Sequence, residues 1–413
     1  MSPRVNIIRP FRALRPAAGR AADIVAPPYD VVNREEARRR VVGRPWSFLR
    51  VSRPEVDLGP TVDPHTAEVY AQGARQFRAM QEARVLRRDP HPGLYVYRLT
   101  AHGHTQTGLA ALASVAAYRD NRIRRHEHTL PAKEQDRTRH IEALNAQTGP
   151  ALLAYRARAD IDAEMARVTA GPPVAVIATD DAVTHTLWLV SEGEAQAALL
   201  NAFSSVDVLY IADGHHRSAA AAAVAAARGG EEGASHNGFL AVMFPDRELR
   251  ILPYHRLVKD TGESSKAVLL EKIAERFLVE PSPGAVTPAT PREFGMYLHG
   301  TWFYLRLKDS VPLPSADRVA RLPTSLLTRF LLAPGFGITD LRNDPRIDFA
   351  GGIDGVRMLE RRVDGGEMGA AFTVCPTRIE DLMAIADTGE FMPPKSTWFE
   401  PKLADGLLCH VLD

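Results

Sequence analysis

Residues 206–228 join two local structures that can meet in only one way. Val206, Val208, Leu209, Tyr210 and Ile211 form a short apolar, β-favouring run, and the alanine-rich segment from Ser218 to Arg228 has the highest helix propensity in the chain. Gly229 and Gly230 then end the helix. The pattern predicts a buried strand, an abrupt polar turn at Asp213-Gly214-His215-His216-Arg217, and a helix. Asp213 stands where an N-cap is expected, Gly214 lets backbone approach a ligand closely, and first-turn amides favour an anion. A lone Asp-Gly turn is ordinarily no more than a cap. Five consecutive residues, four of them with polar side chains, between a core strand and a helix point to a phosphate site.

The 413 residues carry 51 Lys plus Arg against 50 Asp plus Glu, so any anion site is local and no basic field argues for nucleic acid. With 45% hydrophobic and 24% charged residues, the chain reads as a globular protein of two or three domains. Cys375 and Cys409 show no CxxC spacing and no disulfide framework, which suits a reducing compartment. No signal-peptide core and no span of roughly 20 apolar residues is seen, so a cytoplasmic protein with no membrane partner is expected.

Periodicity predicts an α+β chain of mixed sheets and helices. Ile24-Val25 reads as a short strand before a rigid turn at Pro27–Asp30, and Asn33 as the cap of a helix. Ala67, Val69, Tyr70, Ala74, Phe77 and Met80 make an apolar stripe on a helix from about Pro64 to Val85. Leu94–Leu99 and Thr107–Tyr118 form a hairpin about His102-Gly103-His104, and Gly238–Phe244 pairs with Leu249–Tyr254 about Pro245-Asp246-Arg247. Strands are also expected at 174–178, 185–190, 301–307 and 369–374, and helices at 192–203 and 325–332. Proline and serine enrichment from Gly262 to Pro291 marks a boundary, giving regions 1–160, 161–262 and 263–413.

Two further polar clusters stand out. The first is His126-Glu127-His128-Thr129 with Lys133, Asp136, Arg137, Arg139 and His140 behind it; on an extended chain His126 and His128 share a face and Glu127 points away. The second is Lys395-Ser396-Thr397, a proline-stiffened turn with an ammonium and two hydroxyls but without the glycines of a P-loop.

Taken in order, Pro28-Tyr29-Asp30-Val31, His126-Glu127-His128-Thr129, Ala212–Arg217 and Met392–Thr397 with Pro401-Lys402 resemble the domain of unknown function 1015 family over nearly the full length. The central box is also similar to the phosphate box of the ParB/sulfiredoxin superfamily, which includes free-serine kinases and CTP-binding partition proteins. That resemblance implies a ParB/sulfiredoxin-like nucleotide-binding core at 206–228. It implies phosphate binding by Asp213, Gly214, His215, His216, Arg217, Lys395, Ser396 and Thr397. Glu127 and His216 would be catalytic, and Tyr29, Asp30, His126, Thr129 and Arg137 would hold the substrate. Mg2+ with ATP or ADP is expected, with Asp213 or Asp30 as metal ligand. Ser218 departs from the family, which more often has an aromatic residue there.

Three functions follow. The first is a kinase acting on a hydroxyl, with free serine or a similar hydroxy amino acid as acceptor and a small molecule and a nucleotide as partners. The second is a metal-dependent hydrolase using His126, His128, Asp213, His215 and His216. Adjacent helical residues diverge by about 100°, which sets His215 and His216 against sharing one ion. The third is a nucleotide-binding regulator related to partition proteins, against which near-neutral charge and the lack of a helix-turn-helix signature count. The sequence leaves oligomeric state open.

Overall fold

His102 and Gly103 take the left-handed backbone, φ 50° and 73°, that a two-residue hairpin turn demands. Leu94–Ala101 accordingly pairs antiparallel with His104–Ser114, in register from Ala101 opposite His104. The return strand stops earlier than expected. Ser114 caps a short helix, Val115–Arg119, by accepting from the Ala117 amide, so the apolar run to Tyr118 changes element without changing polarity. The computed structural model describes residues 6–231, 233–259, 266–314, 317–352 and 355–413. The chain divides into two compact units, one of Met1–Arg125, Thr129–Leu249 and Pro401–Asp413, the other of His126–His128 and Arg250–Glu400. The border expected between 262 and 263 lies outside the described residues.

The first unit is built on a nine-stranded mixed sheet. Its path runs through Ile123–Arg124, Leu209–Asp213, Ala151–Tyr155, Gly238–Pro245, His104–Ser114, Leu94–Ala101, Thr184–Val190 and Ala175–Ala178, with Ile8–Arg9 pairing off His104–Ser114. Ala151–Tyr155 and Gly238–Pro245 run parallel and are buried at every residue. Such strands show no alternation, and the period-2 reading passes over the first of them. Helices Glu194–Ser204 and His215–Arg228 pack on the sheet through Leu199, Phe203, Ala221 and Ala225. Burying a side chain such as Phe203 stabilises by roughly 1.5–3 kcal/mol. The alanines have a second use. Ala220 and Val224 face Ile141 of helix Pro131–Leu144 and Leu412 at the chain's end, where small side chains permit close approach.

Local expectations are corrected in three places. Ala21–Ile24 is a helical turn rather than a strand, and Phe48 donates its amide to the Ile24 carbonyl. Gly238–Pro245 is followed by a 3-10 turn, Asp246–Glu248, and has no hairpin partner at 249–254; only Ile251–Leu252 is extended there, and it pairs with Trp398–Phe399 in the second unit. His126–His128 is a bend, so His126 is buried while His128 is exposed, and the two do not share a face.

The second unit holds a six-stranded sheet in the order Phe277–Ser282, Thr301–Leu307, Glu293–Leu298, Ala370–Val374, His255–Val258, Ile347–Ala350. Helices Pro323–Leu327 and Lys266–Ala274 supply Leu326, Leu327, Leu269 and Ile273 to its core. The fold is therefore mixed α+β. No helix among the described residues is long and apolar enough to cross a membrane.

Candidate functional site

Strand and helix meet at Asp213 with no intervening loop. The strand Leu209–Asp213 shifts register against Ala151–Tyr155 between Ile211 and Asp213, so the bulge re-aims the Asp213 side chain. Gly214 then turns the chain with φ 94° and ψ 28°, and the helix begins at His215. Asp213 is thus the end of the strand and not the N-cap; Gly214 occupies that position, and no side chain caps the helix. His215, His216 and Arg217 form the first helical turn, where a loop was expected.

The Asp213 carboxylate instead gathers donors. Its Oδ1 accepts the Gly214 amide at 2.9 Å, and its Oδ2 faces Arg217 Nη2 at 3.3 Å and Lys402 Nζ at 3.5 Å. Burial alone would push this carboxyl up, but Lys402, Arg217 and His215 outweigh it and hold Asp213 well below the usual range. Arg217 also donates through Nη1 to the Pro150 carbonyl. Burial pulls its guanidinium down, yet Asp213 and Asp30 more than compensate and keep it charged. His216 is committed elsewhere in the same unit, since its Nε2 accepts the Leu130 amide at 3.0 Å and thereby ties the start of helix Pro131–Leu144. Thr129 donates to Glu134 Oε2 at 3.0 Å.

Beside Arg217 lies a small, partly open pocket of about 40 Å³ lined by Tyr29, Arg137, His140, Gly149, Arg217 and Asp405 among others. That is space for a few waters, and its walls are polar enough to hold them. Asp405 is 2% exposed; its Oδ2 accepts the Tyr29 amide at 3.2 Å, while its Oδ1 has no hydrogen-bond partner. Burial pushes the Asp405 carboxyl up to about 7, against the pull of Arg217 and Arg137. Arg137 stacks on Tyr29 and donates twice to Asp136, which also accepts from Tyr70 at 2.7 Å and lies 3.0 Å from His65 Nδ1. Asp30, beside Tyr29, is exposed. Ser218 is wholly buried with its hydroxyl unpartnered.

The first unit thus brings together Tyr29, Asp30, Arg137, Asp213, Gly214 and Arg217 of the residues singled out in the sequence, with His215, His216 and Thr129 alongside. Lys402 and Asp405 were not among them. The Pro-Lys pair marks Lys402 only as part of a motif, and Asp405, 188 positions after Arg217, carries no local signal.

The second unit holds the remainder. His128 stacks on Phe391 with ring centroids 3.8 Å apart, and the His126 carbonyl accepts the Met392 amide at 2.8 Å. Thr397 Oγ1 lies 3.4 Å from His126 Nε2. Lys395 has a left-handed backbone, φ 58°, with Nζ 5.5 Å from the Tyr254 ring centre. Ser396 is buried and donates to the Pro393 carbonyl at 2.8 Å, so its hydroxyl braces the turn. Arg256, fully buried, donates to the carbonyls of Tyr254 and Pro394.

Among solved structures the chain is similar to a free serine kinase in complex with AMP, at TM-score 0.35 and 15% identity over 70% of this chain and 86% of that one. A conserved hypothetical protein from Pyrococcus furiosus matches at TM-score 0.36 and 13% identity, over 72% of this chain and 94% of that one. SbnI with a C-terminal truncation, from Staphylococcus aureus, matches at TM-score 0.36 and 12% identity, over 72% and 85%. No curated protein sequence matches. The profile of one family, described as protein of unknown function, matches residues 8–325, and the chain belongs to that family, DUF1015.

Proposed function

We propose that this protein is a nucleotide-dependent small-molecule kinase that phosphorylates a hydroxyl, with free serine or a similar hydroxy amino acid as its leading acceptor. Residues 206–228 would be a ParB/sulfiredoxin-like core holding the nucleotide phosphates. The observation that carries the reading is the placement of Arg217 in the first turn of a helix that a left-handed Gly214 starts and no side chain caps. Such a turn offers amide dipoles to phosphate oxygens beside a guanidinium that Asp213 and the Pro150 carbonyl hold in place.

Phosphoryl transfer asks little covalent chemistry of a protein; it asks for cations and amides around the phosphates and a carboxylate that orients the attacking hydroxyl. Arg217 and the helix start supply the first. Glu127 is the acid that the family resemblance assigns to the second, and His216, whose Nε2 accepts from Leu130, serves this reading better as a positioning residue than as a proton carrier. Asp213 offers one ionised carboxylate with two cations against it, which by itself does not fit a divalent ion. No step here depends on Mg2+.

A thermal-shift screen with ADP, ATP, CTP and pyrophosphate, with and without Mg2+, and with Zn2+ apart, tests the reading, since a ligand of the folded state raises the melting temperature. Purine nucleotide stabilisation, followed by phosphate transfer to serine, supports the kinase. Stabilisation by CTP alone favours a regulator, and by Zn2+ alone a hydrolase. Arg217→Ala is expected to weaken nucleotide binding by about 1.5–3 kcal/mol, the scale of a lost charge-assisted hydrogen bond. Unchanged affinity in a folded variant would remove the phosphate role.

A further inference from the structure

The last thirteen residues, Pro401–Asp413, belong to the first unit although the second unit's main span precedes them in the chain. They lie outside the residues that the family profile matches. This strap is tied along its length. Asp405 and Ala26 exchange backbone hydrogen bonds of 2.9 and 3.2 Å, Cys409 and Leu14 exchange a pair of 2.9 Å, and Ala404 donates its amide to the Tyr97 hydroxyl at 3.3 Å. Gly406, at φ 78°, passes so close to Phe48 that a Cβ would fall 2.4 Å from its ring carbons. Cys409 and Leu412 are fully buried.

A strap held this firmly places its side chains, and it brings Asp405 and Lys402 close to Arg217 and its partner Asp213. Asp405 lines the same small pocket as Arg217, its Oδ1 unpartnered. Lys402, three residues earlier, brings its ammonium to the Asp213 oxygen that Arg217 also faces. Two cations thus face one Asp213 oxygen at the start of a helix. The Lys402–Asp213 separation of 3.5 Å is longer than the roughly 2.7–2.9 Å of a good charge-assisted bond.

We propose that Lys402 is a phosphate-binding residue of this site, the second cation beside Arg217, and that a nucleotide phosphate takes its ammonium in the bound state. The assignment rests on the phosphate reading of residues 213–217. It makes the C-terminal strap part of the site.

The test is the affinity of the full-length protein for ADP and for pyrophosphate, in EDTA, measured calorimetrically on the parent and on Lys402→Gln, Lys402→Arg, Asp213→Asn and the Asp213→Asn/Lys402→Gln double variant. Lys402→Gln should weaken both ligands about tenfold or more, and Lys402→Arg should stay within about threefold of the parent. The double variant separates contact from mere neutralisation of Asp213. A lysine that touches phosphate costs as much to remove beside the uncharged amide of the Asp213→Asn variant as beside the carboxylate. Loss of the effect in the Asp213→Asn background, or a Lys402→Arg variant as weak as Lys402→Gln, overturns the assignment. Should Arg217→Ala lose ADP while Lys402→Gln keeps it, this inference fails alone. Should the folded parent bind neither ligand, the phosphate reading fails with it.

Discussion

The guanidinium of Arg137 lies over the ring of Tyr29, with Cζ 4.0 Å from the ring centre, while its Nε and Nη2 donate to Asp136 Oδ2 at 2.8 and 2.6 Å. A planar fork can stack face-on and donate twice within its plane at once; an ammonium offers neither the flat face nor the paired in-plane donors. Arg137→Lys is therefore expected to cost about 1–2 kcal/mol of stability, from the stacking and the fork together. Tyr29→Phe keeps the ring and should lie close to the parent. Denaturant melts of the two variants check this, and an Arg137→Lys protein with the parent's midpoint would show the stack to be idle.

Asp405 gives a stability prediction whose sign is set by its raised carboxyl. Burial lifts it to about 7, with Asp30 adding to the lift and Arg217 and Arg137 opposing it. In the unfolded chain the group ionises near the ordinary value of about 3.9. Between these values the folded protein holds a proton that the unfolded chain has lost, so this group's contribution falls as pH rises from about 4 to about 7 and is constant above. Asp405→Asn keeps an acceptor for the Tyr29 amide and never ionises. The variant's melting temperature minus the parent's should therefore grow from pH 4.5 to pH 7 and then level, a trend from which the buried histidines 140, 185 and 410, each lowered to about 4, drop out by subtraction. A flat difference across that range would mean that Asp405 titrates normally.

The elements that the sequence made legible are those with local chemistry. The His102-Gly103 hairpin, the Asn33 cap, whose side chain accepts the Glu36 amide at 2.9 Å, and the stripe of Val69, Tyr70, Phe77 and Met80 each announce themselves within a few residues. What escaped was long-range or uniform. Ala151–Tyr155 is buried on both faces and shows no period, and in Leu249–Tyr254, which passes into the second unit at Arg250, only Ile251–Leu252 is extended, with a partner at Trp398–Phe399 that lies far along the chain. At the site, the strand-turn-helix reading located Asp213 and Arg217, but placed the helix start three residues late. A glycine that starts a helix directly from a strand looks, in sequence, like the middle of a loop. Lys402 and Asp405 reach the site only through the tertiary path of the strap.

Glu127 is the residue on which turnover would depend. As a carboxylate orienting a hydroxyl it would act on the chemical step, so on the proposed function Glu127→Gln should keep ADP affinity and the parent's melting temperature while lowering phosphate transfer by roughly 100-fold or more. His126 is a contrast: it is 2% exposed, and its Nε2 lies 3.4 Å from Thr397 Oγ1. His126→Asn is expected to lower the melting temperature and to reduce turnover far less. Equal transfer rates in Glu127→Gln and the parent, with a panel of hydroxy amino acids, would take the acid out of the mechanism.

Gly214 couples backbone strain to the position of Arg217, and a second glycine allows the two effects to be separated. At φ 94°, an alanine would pay about 1–2 kcal/mol for the left-handed conformation alone. Its Cβ would also fall 3.1 Å from Ala151 Cα and 3.2 Å from Arg217 Cζ. The strand backbone cannot yield easily, so the guanidinium moves. Gly103, at φ 73° in the hairpin turn, has nothing within 4 Å of the same added atom and carries the strain without the crowding. Both Gly103→Ala and Gly214→Ala should therefore lose stability on a similar scale, while only Gly214→Ala should also lose ADP affinity, by at least fivefold, because only there is Arg217 displaced. Paired melts and titrations decide the point. If Gly214→Ala binds ADP as the parent does, the close approach of backbone and guanidinium at this turn has no part in holding phosphate.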